Sequence, residues 1–332
     1  MKLKIVTISL LSIYQFLYAD TWTLSTDNDL FFQSDDAYTA AIFVSWMGDE
    51  YSKSDKDSFT YSYTSTLKDI FNTLPLVDLE SENLNASMSL QEIMMTPNDL
   101  TQRDAIYNDV PYSGTLATHF SLYAWQENEF DEYRISVGLI GPLSGSEQIQ
   151  KTIHTLTGSE VPMGWDNQID NYFLLNVGYL KGMKNYEYNL NHNTRLEWFN
   201  SMYFDVGNYY IGAGGGSLLR IGQNMPHNFN TPSALMSISP SNHLNFTSRK
   251  SELGWAANIG INANFIAYMY IQEIAQKEGY NLEDKNLLVS MLVSFDLYYE
   301  NMQASLEFFP SKTSKVDESS SWGRISFTWY ME

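Results

Sequence analysis

Short segments in which apolar and polar residues alternate recur along the whole chain. A period of two is typical of β-strands with one apolar and one polar face. The segments are Thr21–Thr26, Ala41–Trp46, Phe59–Thr64, Ala86–Gln91, Thr115–Trp125, Tyr133–Leu139, Tyr172–Tyr179, Asn193–Trp198, Ser217–Ile221, Ala256–Ala267, Leu287–Tyr298, Ala304–Phe309 and Arg324–Trp329. Because no Gly/Pro/Ser-rich linker or fixed-period repeat divides them, the pattern predicts one all-β domain.

The first residues have the pattern of an export signal. A basic start precedes the apolar run Ile5–Leu17, and Ala19 closes the segment. Such a sequence is typical of a secretory signal peptide. The alternative, a membrane anchor, needs about 20 apolar residues, whereas polar residues interrupt this run. We therefore predict a signal peptide over residues 1–19 and an exported domain over residues 20–332.

The exported part contains no stretch of apolar residues long enough for a membrane-spanning helix. Membrane-spanning strands need only about 9–11 residues each and alternate in polarity, so they are compatible with the mean hydropathy of −0.28. The 23 Tyr and 8 Trp fit the two aromatic girdles of such a barrel. We predict a transmembrane antiparallel β-barrel of a bacterial outer membrane with twelve strands, although ten or fourteen would also fit.

The last residues, Gly323–Tyr330, alternate and end in aromatic side chains. This segment resembles the final strand that outer-membrane assembly machinery recognises, apart from the two residues that follow it. The alternative is an ordinary amphipathic edge strand.

Charge and cysteine content narrow the function classes. The net charge of −20 argues against nucleic-acid binding, which needs Lys and Arg to meet phosphates. It fits a cell surface where divalent cations bridge acidic groups, although solubility alone explains it equally well. Because the chain has no cysteine, disulfides and thiol chemistry are excluded.

One segment, Gly145–Gly158, departs from the alternation. Its apolar residues recur at helical spacing, at Ile149, Ile153 and Leu156. We predict a short helix in a loop, with Ser146 as its N-terminal cap and Gly158 at its C-terminal end. Gln150 and His154 are four residues apart and therefore share one face of this helix.

Two kinds of polar group suggest chemistry. Asp27, Asn28 and Asp29, followed by Asp35 and Asp36, offer oxygen ligands that suit a hard cation such as calcium. The spacing is not that of an EF-hand, and ordinary loop chemistry is an alternative explanation. His154 has the type of side chain used for proton transfer near neutral pH. The other four histidines lack a comparable neighbourhood and are expected to be structural.

Four stretches together resemble the outer-membrane lipid A 3′-O-deacylase family. They are the N-terminal ND with its downstream YT, QEIMMTPND with DVPYSG, QKTIH with GWDNQ, and GAGGGSLLRIGQNMPHNF. The resemblance extends over most of the exported chain. It implies a twelve-stranded barrel whose calcium-dependent active site lies near the extracellular rim, between the barrel wall and a loop helix. The implied partners are lipid A or lipopolysaccharide as substrate and the outer-membrane lipids around a monomeric barrel.

The resemblance also implies site residues. The family's Asn and Asp pair falls on Asn28 and Asp29, which are the implied metal ligands, and its threonine falls on Thr39. Its helix Gln and His fall on Gln150 and His154. The implied mechanism is ester hydrolysis by a water molecule that His154 activates.

The family also places a basic residue in the loop after the QEI strand. Gln102 and Arg103 lie near its position, and Arg103 is the local cation. Arg103 is therefore the candidate for stabilising the oxyanion.

Two other functions remain open from the sequence. A calcium-dependent outer-membrane phospholipase would also be a barrel with a surface histidine, but it should pair that histidine with a serine nucleophile. The residue after His154 is Thr155, and no nearby serine is obviously paired with it. A non-catalytic pore or scaffold would keep the fold without the chemistry.

Overall fold

The computed structural model describes residues 20–28, 40–51, 58–74, 77, 79, 83–231, 239–244, 252–282, 286–313 and 319–331. The predicted signal peptide and two predicted site residues, Asp29 and Thr39, lie outside the described residues. The backbone of Asn28 is described, but its side chain is not.

Twelve antiparallel strands form one closed barrel. Each strand pairs with its neighbours in sequence, and β1 pairs with β12 to close the sheet. The strands are β1 Thr21–Asn28, β2 Ala40–Met47, β3 Asn83–Met95, β4 Ser113–Trp125, β5 Glu129–Ile140, β6 Tyr172–Asn189, β7 Thr194–Gly207, β8 Tyr210–Gln223, β9 Gly254–Met269, β10 Leu287–Tyr299, β11 Met302–Thr313 and β12 Ser319–Tyr330. The predicted barrel and its strand number are confirmed. The C-terminal strand is not an edge strand, because it lies between β11 and β1.

The outer surface of the barrel is apolar along the membrane-spanning part of the strands. Along β6, Phe173, Leu175 and Val177 are exposed, whereas Leu174 and Asn176 between them are buried. Strand β10 repeats this alternation over its whole length. Outward apolar and inward polar side chains are the arrangement of a membrane barrel, and closure leaves no unpaired strand edge in the lipid.

The barrel has two ends, and each carries its own set of connections between strands. The first residue of β1, Thr21, and the last residue of β12, Tyr330, pair at one end of the barrel, here called the terminal end. The opposite end, here called the distal rim, carries the connections 96–112, 141–171 and 270–286.

Buried ion pairs fill part of the barrel interior. Arg134 pairs with Glu132 and Asp205, while Arg220 pairs with Glu197. Burial of this kind is tolerated because each charge has an opposite partner and hydrogen bonds.

The connection between β8 and β9 also enters the interior from the terminal end. Phe229 packs with Phe130 in the interior core. His243 Nε2 lies 3.0 Å from Thr23 Oγ1, and Asn228 accepts a hydrogen bond from Arg220. The described part of the interior is therefore packed with side chains and is not an open channel.

The first helix corrects a strand prediction. Residues Phe59–Thr64 belong to α1, Phe59–Phe71, which Ser58 caps by accepting a hydrogen bond from the Tyr61 amide. Aromatic residues alternate here but also recur every four residues, so a six-residue window does not separate the two periods. Helix α1 packs its Leu67 and Phe71 against the outside of the wall.

Two further helices lie at the distal rim. They are α2, Ser146–Thr157, and α3, Tyr270–Lys277. None of the helices in the described part of the chain is both long and apolar enough to span a membrane. The prediction of α2 is confirmed, and Gly158 ends it in the left-handed conformation with φ of 73°. The predicted cap is wrong, because Gly145 precedes the helix and Ser146 is its first residue.

Candidate active site

Helix α2 begins directly on the outside of the barrel wall. The Ser146 hydroxyl donates a hydrogen bond to Glu92 Oε1, on β3. Glu92 lies two residues after Leu90, which is 48% exposed, so both side chains point outward. On the neighbouring strand Gly114 leaves room for the helix, since a Cβ atom there would clash with the side chains of Ser144 and Ser146.

Gln150 lies one helical turn after Ser146 and is only 2% exposed. Its Oε1 accepts a hydrogen bond of 2.8 Å from Trp165 Nε1. The ring of Trp165 lies 5.1 Å from that of Tyr112 between centroids. Gln150 Nε2 is buried and has no hydrogen-bond partner among the described residues. One side of the amide is therefore fixed, and the other side remains able to donate.

His154 lies one turn further along α2 and is partly exposed. Its Nδ1 lies 2.5 Å from the backbone carbonyl oxygen of Glu160. A carbonyl only accepts hydrogen bonds, so Nδ1 must carry the proton. This arrangement leaves Nε2 as the ring nitrogen that can accept a proton, as a general base requires.

Arg103 belongs to the connection that contacts the turn after this helix. Its carbonyl accepts a hydrogen bond from Asn167 Nδ2, and the Met163 amide donates to the carbonyl of Leu100 at 2.9 Å. The connection 96–112 is thereby tied to the turn that contains Trp165. The Arg103 side chain is exposed, and no acidic side chain in the described part of the chain forms an ion pair with it.

Two ionisable groups of the same connection have shifted pKa values. Hydrogen bonds from Thr101 and Gln102 lower the pKa of Asp99, which therefore stays ionised. Burial raises the pKa of Tyr112, which stays a neutral phenol beside Trp165. The loop thus combines a fixed negative charge with the exposed cation of Arg103.

The backbone brings Asn28 to the same rim. Asn28 is the last residue of β1, and Ala40, its partner on β2, pairs in turn with Met94 of β3. Asn28 and Ala40 therefore lie beside the end of β3. Among the described residues no group of three acidic or histidine side chains is placed to hold a metal ion.

Several residues of this site were not found from the sequence. They are Glu92, Gly114, Glu160 and Trp165, although all four lie in or beside the stretches that carried the family resemblance. Glu92 had a detectable signal, because it is a carboxylate at an outward position of a membrane strand, where such a residue is rare.

A closed barrel with an apolar outer wall and a polar, loop-covered rim defines the class of outer-membrane β-barrel proteins. The sequence model of the family described as "Outer membrane protein LpxR" matches residues 5–331, and the chain belongs to this family. The protein is accordingly located in the outer membrane.

A solved structure agrees with this fold. "LpxR from Salmonella typhimurium" superposes with a TM-score of 0.72 at 15% identity, covering 94% of this chain and 100% of that one. The β domain of the Bordetella autotransporter BrkA reaches a TM-score of 0.45 at 8% identity, covering 95% and 100% of the two chains. No matching sequence is found among curated proteins.

Proposed function

We propose that this protein hydrolyses the ester of the 3′-linked acyl or acyloxyacyl chain of lipid A at the outer-membrane surface. One observation carries the proposal: His154 presents a free Nε2 on a helix that lies against the membrane-facing wall at the distal rim. Membership of the LpxR family supports the same substrate class.

In this proposal, His154 acts as general base. Its Nε2 removes a proton from water as the water oxygen bonds to the ester carbonyl carbon. The tetrahedral intermediate then breaks its bond to the sugar 3′ oxygen, which leaves with the proton from the imidazolium. The products are a free fatty acid and a sugar hydroxyl, so no covalent enzyme intermediate is needed.

Other residues orient the reactants in the same proposal. The carbonyl of Glu160 keeps the imidazole in the required tautomer. Gln150 Nε2 is buried with its hydrogen-bonding capacity unused and is available to orient the water or the ester. Arg103 supplies positive charge toward the developing oxyanion. Asn28 and Thr39 are the remaining orienting groups in this proposal, because they match the family's Asn and Thr in the sequence.

Calcium belongs to the proposal on the sequence pattern of Asn28 and Asp29. Their oxygen ligands suit a hard cation, and a bound calcium would polarise the ester carbonyl as a Lewis acid. The described residues alone do not complete such a site. Chelation tests it: EDTA should abolish deacylation and added calcium should restore it, whereas full activity in EDTA would remove calcium from the mechanism.

The surroundings of α2 fit a lipid substrate. Leu143, Ile153 and Leu156 are exposed at the rim, and Leu156 is 82% exposed. At the distal rim these apolar side chains extend the lipid-facing surface of the barrel, and such a surface suits acyl chains. We expect the distal rim to face the cell exterior, where lipid A lies, and the barrel to act as a monomer.

The decisive test is the lipid A of a host that expresses the protein, analysed by mass spectrometry. The wild type should remove the 3′-linked chain, and His154→Ala should lower the rate by about 100- to 10,000-fold, the usual contribution of general acid–base catalysis. The matched control is His192→Ala, an exposed histidine in the turn between β6 and β7 at the terminal end. Full activity of His154→Ala would refute the base assignment.

The same experiment addresses the two other functions. Phospholipid and lipid A are offered to the protein side by side. Hydrolysis of the phospholipid without hydrolysis of lipid A would support the phospholipase. A pore would instead carry solute in a liposome-swelling assay. The side chains that fill the described interior, including Phe229 and Arg220, argue against solute flow.

A further inference from the structure

We propose that Glu92 is a positioning residue that, through Ser146, holds α2 on the barrel wall and so places Gln150 and His154. The inference rests on the proposed deacylase function for its catalytic readout. Glu92 lies on strand β3 of the barrel wall, whereas Gln150 and His154 lie on helix α2. Its contact with Ser146 therefore links the wall to the helix that carries the proposed catalytic base.

The location of Glu92 needs an explanation because it is unfavourable for a charge. It points outward from β3 on the face where Leu90 is exposed, yet it is itself only 5% exposed. A carboxylate on the lipid side of a barrel is destabilising unless it is paired. Ser146 supplies the hydrogen bond to Oε1, and Oε2 has no hydrogen-bond partner among the described residues.

The start of α2 benefits from a nearby negative charge. Gly145 precedes the helix and provides no side-chain cap. The first amides of a helix carry partial positive charge, and a carboxylate beside them is stabilising. Glu92 brings this charge from a different part of the chain through the Ser146 hydroxyl, while the Ser146 amide donates to Ser144 Oγ.

The spacing along α2 connects this contact to the chemistry. Ser146, Gln150 and His154 are successive members of an i, i+4 series, so they lie along one stripe of the helix. Their side chains contact Glu92, Trp165 and the Glu160 carbonyl respectively, and Ser146 also contacts the hydroxyl of Ser144. The contact at Ser146 therefore fixes how α2 is rotated about its own axis and where along the barrel wall it begins.

A small change at Ser146 becomes larger at His154. The two residues are about 12 Å apart along the helix axis at 1.5 Å per residue, so a tilt of about 5° moves His154 by about 1 Å. A misplacement of this size lowers the rate of an enzyme by about 100-fold. Loss of the Glu92 contact should therefore affect kcat more than substrate binding.

The experiment uses purified full-length protein in detergent micelles with lipid A as substrate. Glu92→Leu and Ser146→Ala should each lower kcat by about 10- to 100-fold, corresponding to the loss of one charged hydrogen bond, with KM unchanged within about twofold. Glu92→Gln should retain most of the activity, because its amide oxygen still accepts from Ser146. The matched control, Leu90→Ala on the same face of β3, should behave as the wild type.

The double variant Glu92→Leu with Ser146→Ala tests whether the two residues affect kcat through their contact with each other or independently. Non-additivity is expected, with kcat no lower than in the worse single variant. Multiplying losses, a wild-type kcat in Glu92→Leu, or a loss in KM alone would overturn the proposal.

Trypsin gives a readout that does not depend on activity. Lys151 lies within α2 and is partly exposed, whereas Arg103 lies in the neighbouring connection. Glu92→Leu should speed cleavage after Lys151 relative to cleavage after Arg103, while electrophoretic heat-modifiability confirms the folded barrel. Unchanged cleavage would overturn the positioning role. If the wild type leaves lipid A intact, the proposed function fails, and this measurement alone decides whether Glu92 holds the helix.

Discussion

Two helices lie on the outside of the barrel wall, and they are attached in different ways. Helix α1 presents Leu67 and Phe71 to Leu84 and Leu122, which is an apolar contact. Helix α2 presents Ser146 to Glu92 and leaves Leu156 exposed. Apolar packing is non-directional and covers surface, whereas hydrogen bonds restrict distance and angle. The difference indicates that α1 stabilises the wall and α2 holds groups in a defined position.

The largest effect within this comparison is expected at the wall beneath α2. Gly114→Val should lower kcat by about 100-fold, because its side chain would occupy the space of Ser144 and Ser146 and displace the helix. The barrel should still form, since a β-branched residue suits a strand. Lipid A turnover and heat-modifiability measure the two properties separately.

A matched variant for that experiment is Thr118→Val, on the same strand and the same outward face as Gly114. It should leave both properties unchanged. Full activity of Gly114→Val would show that the close approach of α2 to the wall is not needed.

A smaller effect is expected from the contact to Gln150. Trp165→Phe removes the donor to Gln150 Oε1 and leaves that buried oxygen unpaired, which costs about 1–3 kcal/mol. We expect kcat to fall by about tenfold. Trp198→Phe is the control, because this exposed tryptophan lies on β7, away from the site. Equal activity of the two variants would contradict the role of Trp165.

The smallest effect on activity is expected beneath α1. Leu67→Ala should lower the free energy of unfolding by about 2–5 kcal/mol, as for other buried leucines, while kcat stays within about twofold of the wild type. Urea unfolding in micelles measures the first quantity and lipid A turnover the second. A large loss of kcat would remove the distinction between the two helices.

The sequence located all twelve strands through their alternation, and it located α2 through Ile149, Ile153 and Leu156. It failed at Phe59–Thr64, where aromatic residues satisfy both the strand period and the helix period over a short window. It also assigned Ser146 to a local capping role, because the sequence does not reveal that a strand carboxylate meets this residue.

The barrel and the shared helical face of Gln150 and His154 follow from periods of two and of 3.6 residues, which are local properties of a chain. The site depends instead on contacts between distant positions. Glu92 meets Ser146, 54 residues along the chain, and Gln150 meets Trp165 across a turn. Only tertiary structure decides such pairs, because they depend on which strand faces which connection once the sheet has closed into a barrel.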